Sequence, residues 1–245
     1  MRPFLAFACA HMTDERLYAH QIEALGATHD CRVFVFREQN SMGAMAAAVL
    51  ADTPAQFTLI GLSLGGYVAF EVIRRAAHRL QRLVLIDTTA VADHEARRAG
   101  RQRDIDTVRQ GGVEALIPEL PARWLLPAHT NNPVLTGLMA SMAHSVGATG
   151  QFNQQTAMLA RPDSHEDLRR LRVPTLLICG RQDPVTPLSD HEAMAACAPG
   201  SRLEVIENCG HLSTIEQPEA VTRVLDRWLR VTTPLRADAQ HKEKP

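Results

Sequence analysis

The chain has 245 residues, of which 45% are hydrophobic and 22% charged, and its formal net charge is -1. That length suits one α/β domain with an insertion, and a balance so close to neutrality sets up no field for attracting nucleic acid or an anionic membrane surface. Neither partner is expected, and the five scattered cysteines, without a C-x-x-C pair, suggest neither a disulfide framework nor a zinc site.

The opening "MRPFLAFACAHMTDE" carries one basic residue and a short apolar run before acidic residues appear, too short for a secretion signal or a membrane span. A soluble, cytoplasmic protein is the expectation. Within this stretch "FLAFA" (residues 4–8) reads as a strand. The following "TDERLYAHQIEALG" reads as a helix with an apolar series at Leu17, Ile22 and Leu25. Thr13 is the expected cap, Asp14 and Glu15 suit the positive end, Met12 and Leu17 form a staple, and Gly26 stops the helix. "CRVFVF" (31–36) is a second strand, and a short helix follows over 42–50.

Next come the apolar run "FTLIG" (57–61), the helical "GYVAFEVIRRAAHRL" and another strand, "LVLID" (83–87). Residues 91–171 then break the alternation: they hold polar and helical segments punctuated by glycine and proline, with no strand pattern, and read as a helical cap insertion. Strands resume with "TLLIC" (175–179) and "LEVIE" (203–207). A last helix opens on Pro218 with apolar positions 221, 224, 225, 228 and 229. Strands alternating with helices predict a mostly parallel sheet covered on both faces. The expected organisation is a core of residues 1–90 and 172–233, the insertion 91–171, and a polar, disordered tail over 234–245.

Within "FTLIGLSLGGYVAF", Ser63 stands between Gly61 and Gly65 where a strand must reverse sharply into a helix. Such a turn needs residues without side chains around it, and its apex projects at the carboxyl edge of the sheet, just ahead of a helix N-terminus. Gly-x-Ser-x-Gly alone is a common coincidence; in this context it marks Ser63 as a nucleophile. A serine hydroxyl needs a base, and the base needs a carboxylate. Of eleven histidines, His211 in "NCGHLSTIEQPEAV" lies in a loop after a strand and before the final helix. The carboxylate candidates are Asp183 in "TLLICGRQDPVTP", Asp87 after "LVLI", and Glu207. Asp183 produces the chain order Ser, Asp, His, and Asp87 is held in reserve.

In "GLSLGG", "LICGRQDPVTP" and "ENCGHLSTIEQPEAV" the chain resembles the α/β-hydrolase superfamily, in the neighbourhood of small microbial esterases, enol-lactonases and C–C hydrolases. The resemblance implies a roughly eight-stranded, mostly parallel sheet, a Ser63-Asp183-His211 triad, a helical cap over the site and no cofactor or metal. It further implies an oxyanion hole from the N–H of Leu64 and a donor in the Cys9-Ala10-His11-Met12 loop. Many relatives have glycine where this chain has Ala10, so His11 or Met12 is the expected second donor, and the His11 ring is a candidate to face the substrate. In the insertion, Trp124, Met139, Met142 and Phe152 are candidate pocket residues, although apolar residues at helical spacing more often pack a helix onto its neighbours. The arginine-rich "HEARRAGRQRDIDTVRQ" reads as a solvated helix face. The expected activity is hydrolysis of a small-molecule ester, thioester or lactone through an acyl-enzyme on Ser63. C–C hydrolysis, acyl transfer and ligand binding without turnover remain alternatives on the same residues.

Overall fold

The computed structural model describes residues 2–234. Strand β1 (Phe4–Ala8) leads through a 3-10 turn (Glu15–Tyr18) into α1 (Ala19–Leu25), followed by β2 (Asp30–Phe34), α2 (Met42–Ala51), β3 (Phe57–Leu62), α3 (Leu64–Ala76) and β4 (Leu80–Ile86). Four α-helices then intervene: α4 (Glu95–Gly111), α5 (Leu120–Trp124), α6 (Pro133–Leu159) and α7 (His165–Arg170). The sheet resumes with β5 (Thr175–Gly180), α8 (Leu188–Cys197) and β6 (Arg202–Ile206), and α9 (Ser213–Glu216) and α10 (Pro218–Val231) follow. All but residue 234 of the expected polar tail lies outside the described residues.

The strand order is β2-β1-β3-β4-β5-β6, and every neighbouring pair is parallel. The fold class matches the sequence reading, but the sheet has six strands among the described residues rather than eight. Six apolar runs make six strands, and the intervening insertion contributes helices alone. No helix among the described residues is long and apolar enough to cross a membrane.

Alternation along the strands sorts side chains to the two faces. Leu5, Phe7, Ile60, Leu62, Val84 and Ile86 join one buried cluster with Leu25 of α1 and Val221, Leu225 and Trp228 of α10. Ala6, Ala8, Leu59, Leu83 and Leu85 join the other, with Met45 and Val49 of α2 and Val68 and Val72 of α3. Because both faces are covered, the inner strands β1, β3, β4 and β5 are mostly apolar, as buried parallel strands are, whereas the edge strands β2 and β6 carry exposed polar residues such as Asp30 and Arg202. Arg82 departs from that pattern for a reason: its guanidinium donates to the carbonyls of Leu229 and Thr232 at the end of α10, which the helix itself leaves unpaired. β4 accordingly begins at Leu80, ahead of the expected Leu83.

Two local expectations shift. The first turn starts at Glu15, so the cap is Asp14, whose Oδ1 accepts the Arg16 N–H at 3.1 Å. The Thr13 hydroxyl instead donates to the Ala10 carbonyl at 3.0 Å and braces the loop after β1. Helix α6 is broken at Gly147, where φ is 71°, and this break re-phases the two halves of the helix.

The topology places the site. β1 lies between β2 and β3, so successive connections run outward in opposite directions from β1 and leave a crevice at the carboxyl ends of β1 and β3.

Candidate active site

Ser63 occupies the turn from β3 to α3 with φ 53° and ψ -109°, a left-handed conformation that is strained for a side-chain-bearing residue. The surroundings enforce it. The Ser63 N–H donates to the Ile86 carbonyl at 3.0 Å, and its carbonyl accepts from the Thr88 hydroxyl at 2.9 Å. A Cβ on Gly61 would stand 2.3 Å from the Gly65 carbonyl oxygen, and one on Gly65 would stand 2.0 Å from the Ala8 carbonyl oxygen. Only glycine lets α3 pass this close to β1 and β3.

The loop after β5 supplies Asp183. Its Oδ1 accepts the N–H groups of Val185 and Thr186 at 2.7 and 3.0 Å, and its Oδ2 accepts the Thr186 hydroxyl at 2.6 Å. The same Oδ2 lies 2.8 Å from His211 Nδ1, and His211 Nε2 lies 2.9 Å from Ser63 Oγ. Because the carboxylate only accepts, Nδ1 carries the imidazole proton and Nε2 is left as the acceptor for the serine hydroxyl. Burial disfavours a charged His211, but the Asp183 charge and hydrogen bond outweigh it and raise its pKa above the ordinary 6.5. Burial likewise opposes ionisation of Asp183, and the His211 partner with the Thr186 bonds overcomes it, holding the carboxyl below its ordinary value.

The reserve carboxylates have other partners. Glu207 is exposed and pairs with Arg181. Asp87, fully buried, accepts the N–H of Gly180 at 2.8 Å and of Ser213 at 3.1 Å, tying together the loops that carry Asp183 and His211. Burial and the nearby Asp183 charge push its pKa up to about 8. Asp87, Asp183 and Cys179 form the one group of potential metal donors among the described residues. Their oxygens face hydrogen-bond donors and the Cys179 thiol, raised by burial, donates to the Gly180 carbonyl, so this donor set is committed to holding the loops.

A protonated Asp87 has a measurable consequence for stability. Below about pH 3.9, the ordinary aspartate value, both folded and unfolded states carry the proton. As pH rises towards 8 the unfolded chain ionises while folded Asp87 stays protonated, so stability contributed by this group is lost across that interval. Urea unfolding at pH 5 and pH 8 should therefore show Asp87→Asn losing less stability over the interval than the unsubstituted protein. Equal losses would mean that folded Asp87 is ionised.

A carboxylate on α9 links the His211 loop to the insertion. Glu216 Oε1 accepts the Gly210 N–H at 3.1 Å, while Oε2 accepts from Leu126 N at 2.9 Å and His129 Nδ1 at 2.8 Å. The His211 N–H donates to the Trp124 carbonyl at 2.7 Å.

In the loop after β1, the left-handed residue is Met12, with φ 53°, and not Ala10. Ala10 therefore needs none of glycine's conformational freedom. The Met12 N–H donates to Gln154 Oε1 at 2.9 Å, which removes Met12 as an oxyanion donor. Among the described residues the N–H groups of His11 and of Leu64, the first residue of α3, have no hydrogen-bond partner. They remain as the pair of candidate donors. The His11 ring is clamped: Nδ1 donates to Gln154 Oε1 at 2.8 Å, and Nε2 accepts from Gln155 Nε2 at 3.2 Å. Burial first, then the positive Arg101, pushes its pKa down to about 3, so it is neutral near pH 7.

Ser63 and His211 open onto a small pocket of about 60 Å³. Its walls include His11 and Trp124, with Tyr67, Arg101, Met158 and Val185 besides. Three of the expected wall residues lie elsewhere. Met139 and Met142, before the Gly147 break, are buried in the apolar cluster with Val113 and Leu116, and Phe152 is 38% exposed beneath the Arg109 guanidinium. Beyond the break, Gln154, Gln155 and Met158 face the site.

Arg101 and the two glutamines were missed, yet a signal existed. Arg101, Ile105 and Val108 recur at helical spacing, and the latter two are buried, so Arg101 shares the inward face of α4.

A doubly wound parallel sheet with a serine, histidine and aspartate chain at its carboxyl edge defines an α/β-hydrolase fold. The chain belongs to the alpha/beta hydrolase family, whose model matches residues 11–224. Its structure is similar to that of a thermophilic esterase from Thermogutta terrifontis, with a TM-score of 0.84 and 31% identity, covering 94% of this chain and 90% of that one. By sequence it is 26% identical over 178 residues to 3-oxoadipate enol-lactonase 2 of Acinetobacter baylyi, a match covering 71% of this chain and 64% of the relative's length. It is also 26% identical over 223 residues to the pimeloyl-[acyl-carrier protein] methyl ester esterase of Nitrosomonas europaea, covering 86% and 85%.

Proposed function

We propose that the protein is a serine hydrolase of small-molecule esters, thioesters or lactones, acting through an acyl-enzyme on Ser63. The observation that carries this reading is the unbroken chain Ser63 Oγ, His211 Nε2, Asp183 Oδ2 facing an open pocket. Similarity to an esterase, an enol-lactonase and a methyl ester esterase supports the bond type.

In the proposed mechanism His211 Nε2 takes the Ser63 proton as Oγ bonds to the substrate carbonyl carbon, whose oxygen becomes an anion. The N–H groups of Leu64 and His11 stabilise that anion, aided by the positive end of α3. His211 passes its proton to the leaving oxygen or sulfur as the acyl bond breaks. Water, deprotonated by the same Nε2, then attacks the acyl-enzyme; its proton returns to Ser63 and the acid is released. Asp183 holds the ring orientation and stabilises the transient imidazolium. No step calls on a metal or an organic cofactor.

The test is labelling with a fluorophosphonate, followed by peptide mass spectrometry, on the protein and on His211→Ala in parallel. Adduct on Ser63 that is lost in the variant is the expected result. A folded protein that takes no label and turns over no ester would replace this reading with ligand binding.

A further inference from the structure

The pocket wall carries a positive charge for which the mechanism above has no use. Arg101 lines the pocket together with Ser63 and His211, and its side chain is 13% exposed. Its Nε is bound by Asp93, and its Nη1 donates to Gln155 Oε1 at 3.1 Å and Met158 Sδ at 3.0 Å. Nη2 makes one long contact, 3.4 Å to Asp93 Oδ1, so one of its two N–H groups has no acceptor among the described residues.

Asp93 does not cancel this charge, because it is shared. Its carboxylate also binds Arg161 at 2.7 Å and lies 4.0 Å from Arg97, so three guanidinium groups meet one carboxylate. The Arg161 side chain is 3% exposed, leaving little water to screen it. The next carboxylate on α4, Asp104, is paired with Arg123 at 2.7 Å. His11 is neutral, held by two glutamine side chains, and the Asp183 charge is directed at His211. The wall therefore has excess positive charge facing the space a substrate must fill.

A guanidinium edge matches a carboxylate in shape and charge, whereas a neutral apolar substrate would cover it without supplying an acceptor. We infer that the substrate carries a carboxylate, bound by Arg101 while its ester, thioester or lactone carbonyl meets Ser63. The pocket volume of about 60 Å³, small for a ligand site, restricts this to short acids. This inference rests on the serine-hydrolase reading, and its substrate class is short anionic acyl compounds.

The experiment compares matched pairs of esters that differ only in charge. On the acyl side the pair is the 4-nitrophenyl monoesters of glutaric acid and of glutaramic acid. On the leaving-group side it is the butyrate esters of 4-hydroxybenzoate and 4-hydroxybenzamide. For each pair the readout is the ratio of kcat/KM, carboxylate over carboxamide, in the unsubstituted protein, Arg101→Gln, Arg101→Lys and the exposed-position control Arg103→Gln, with circular dichroism checking that each is folded. The expected result is a ratio of tenfold or more in one pair, which also tells which half of the substrate bears the charge. Arg101→Gln should reduce it at least tenfold, Arg101→Lys should keep part of it, and Arg103→Gln should keep it all. Ratios near one in both pairs, a preference that survives Arg101→Gln, or a uniform fall on every ester would overturn the inference and leave Arg101 as a tie between α4 and α6. Absence of both turnover and Ser63 labelling in the unsubstituted protein would instead overturn the serine-hydrolase reading, and this inference with it.

Discussion

His211→Ala and Ser63→Ala are each expected to lower kcat on any ester that the protein turns over by about 10⁶-fold. Without Nε2 the hydroxyl keeps its proton near pH 7, since a serine hydroxyl is a weak nucleophile until a base takes its proton. Without Oγ no acyl-enzyme forms at all. Because the two groups act on one proton, the double variant should be scarcely worse than either single one, a non-additivity that separate roles would not produce. Steady-state rates of the three variants, with circular dichroism as the check on folding, decide this. Losses that multiply would show two independent contributions in place of one unit.

Asp183→Asn is expected to cost about 10⁴-fold in kcat while leaving the fold intact. The amide keeps one acceptor oxygen for the Val185 and Thr186 N–H groups, which already fill Oδ1 at 2.7 and 3.0 Å. Its NH₂ then faces His211 Nδ1 and the Thr186 hydroxyl, so the ring is driven to the wrong tautomer, with the proton on Nε2 facing Ser63. The pH profile should change as well. His211 acts as a base only when neutral, and its raised pKa places the acid limb of kcat/KM above pH 6.5 in the unsubstituted protein. Removing the Asp183 charge removes the chief cause of that rise, so the acid limb should move to lower pH in the variant. An Asp183→Asn protein with full activity and an unmoved limb would transfer the role to Asp87, whose asparagine variant is the direct comparison.

Much of the fold could be read from residue pattern. Six apolar runs marked six strands, and the helices of the core followed from capping residues and from apolar spacing such as 221, 225 and 228 on α10. The Ser63 turn was legible because Gly61 and Gly65 are local requirements of a sharp reversal. Pocket walls were less legible. Apolar residues at helical spacing serve helix packing as readily as a pocket wall, and only the packing of α6 places Met139 and Met142 in the core and leaves Phe152 exposed.

By itself the sequence determined where the serine, its candidate base and its candidate acids lie along the chain, and that they occupy loops at one edge of a parallel sheet. These are local properties: strand period, helix period and turn chemistry act over a few residues. Tertiary structure alone decided which of three carboxylates meets His211, because Asp87 and Asp183 differ in the backbone N–H groups that packing brings to them. It also decided that the Met12 N–H is taken by Gln154 while the His11 N–H stays open. Arg101 likewise faces the pocket because α4 packs against α6, with Asp93 shared among three arginines. Hydrogen-bond donors and charges become available or spent only when residues distant in the chain are packed around them, and no local pattern records that outcome.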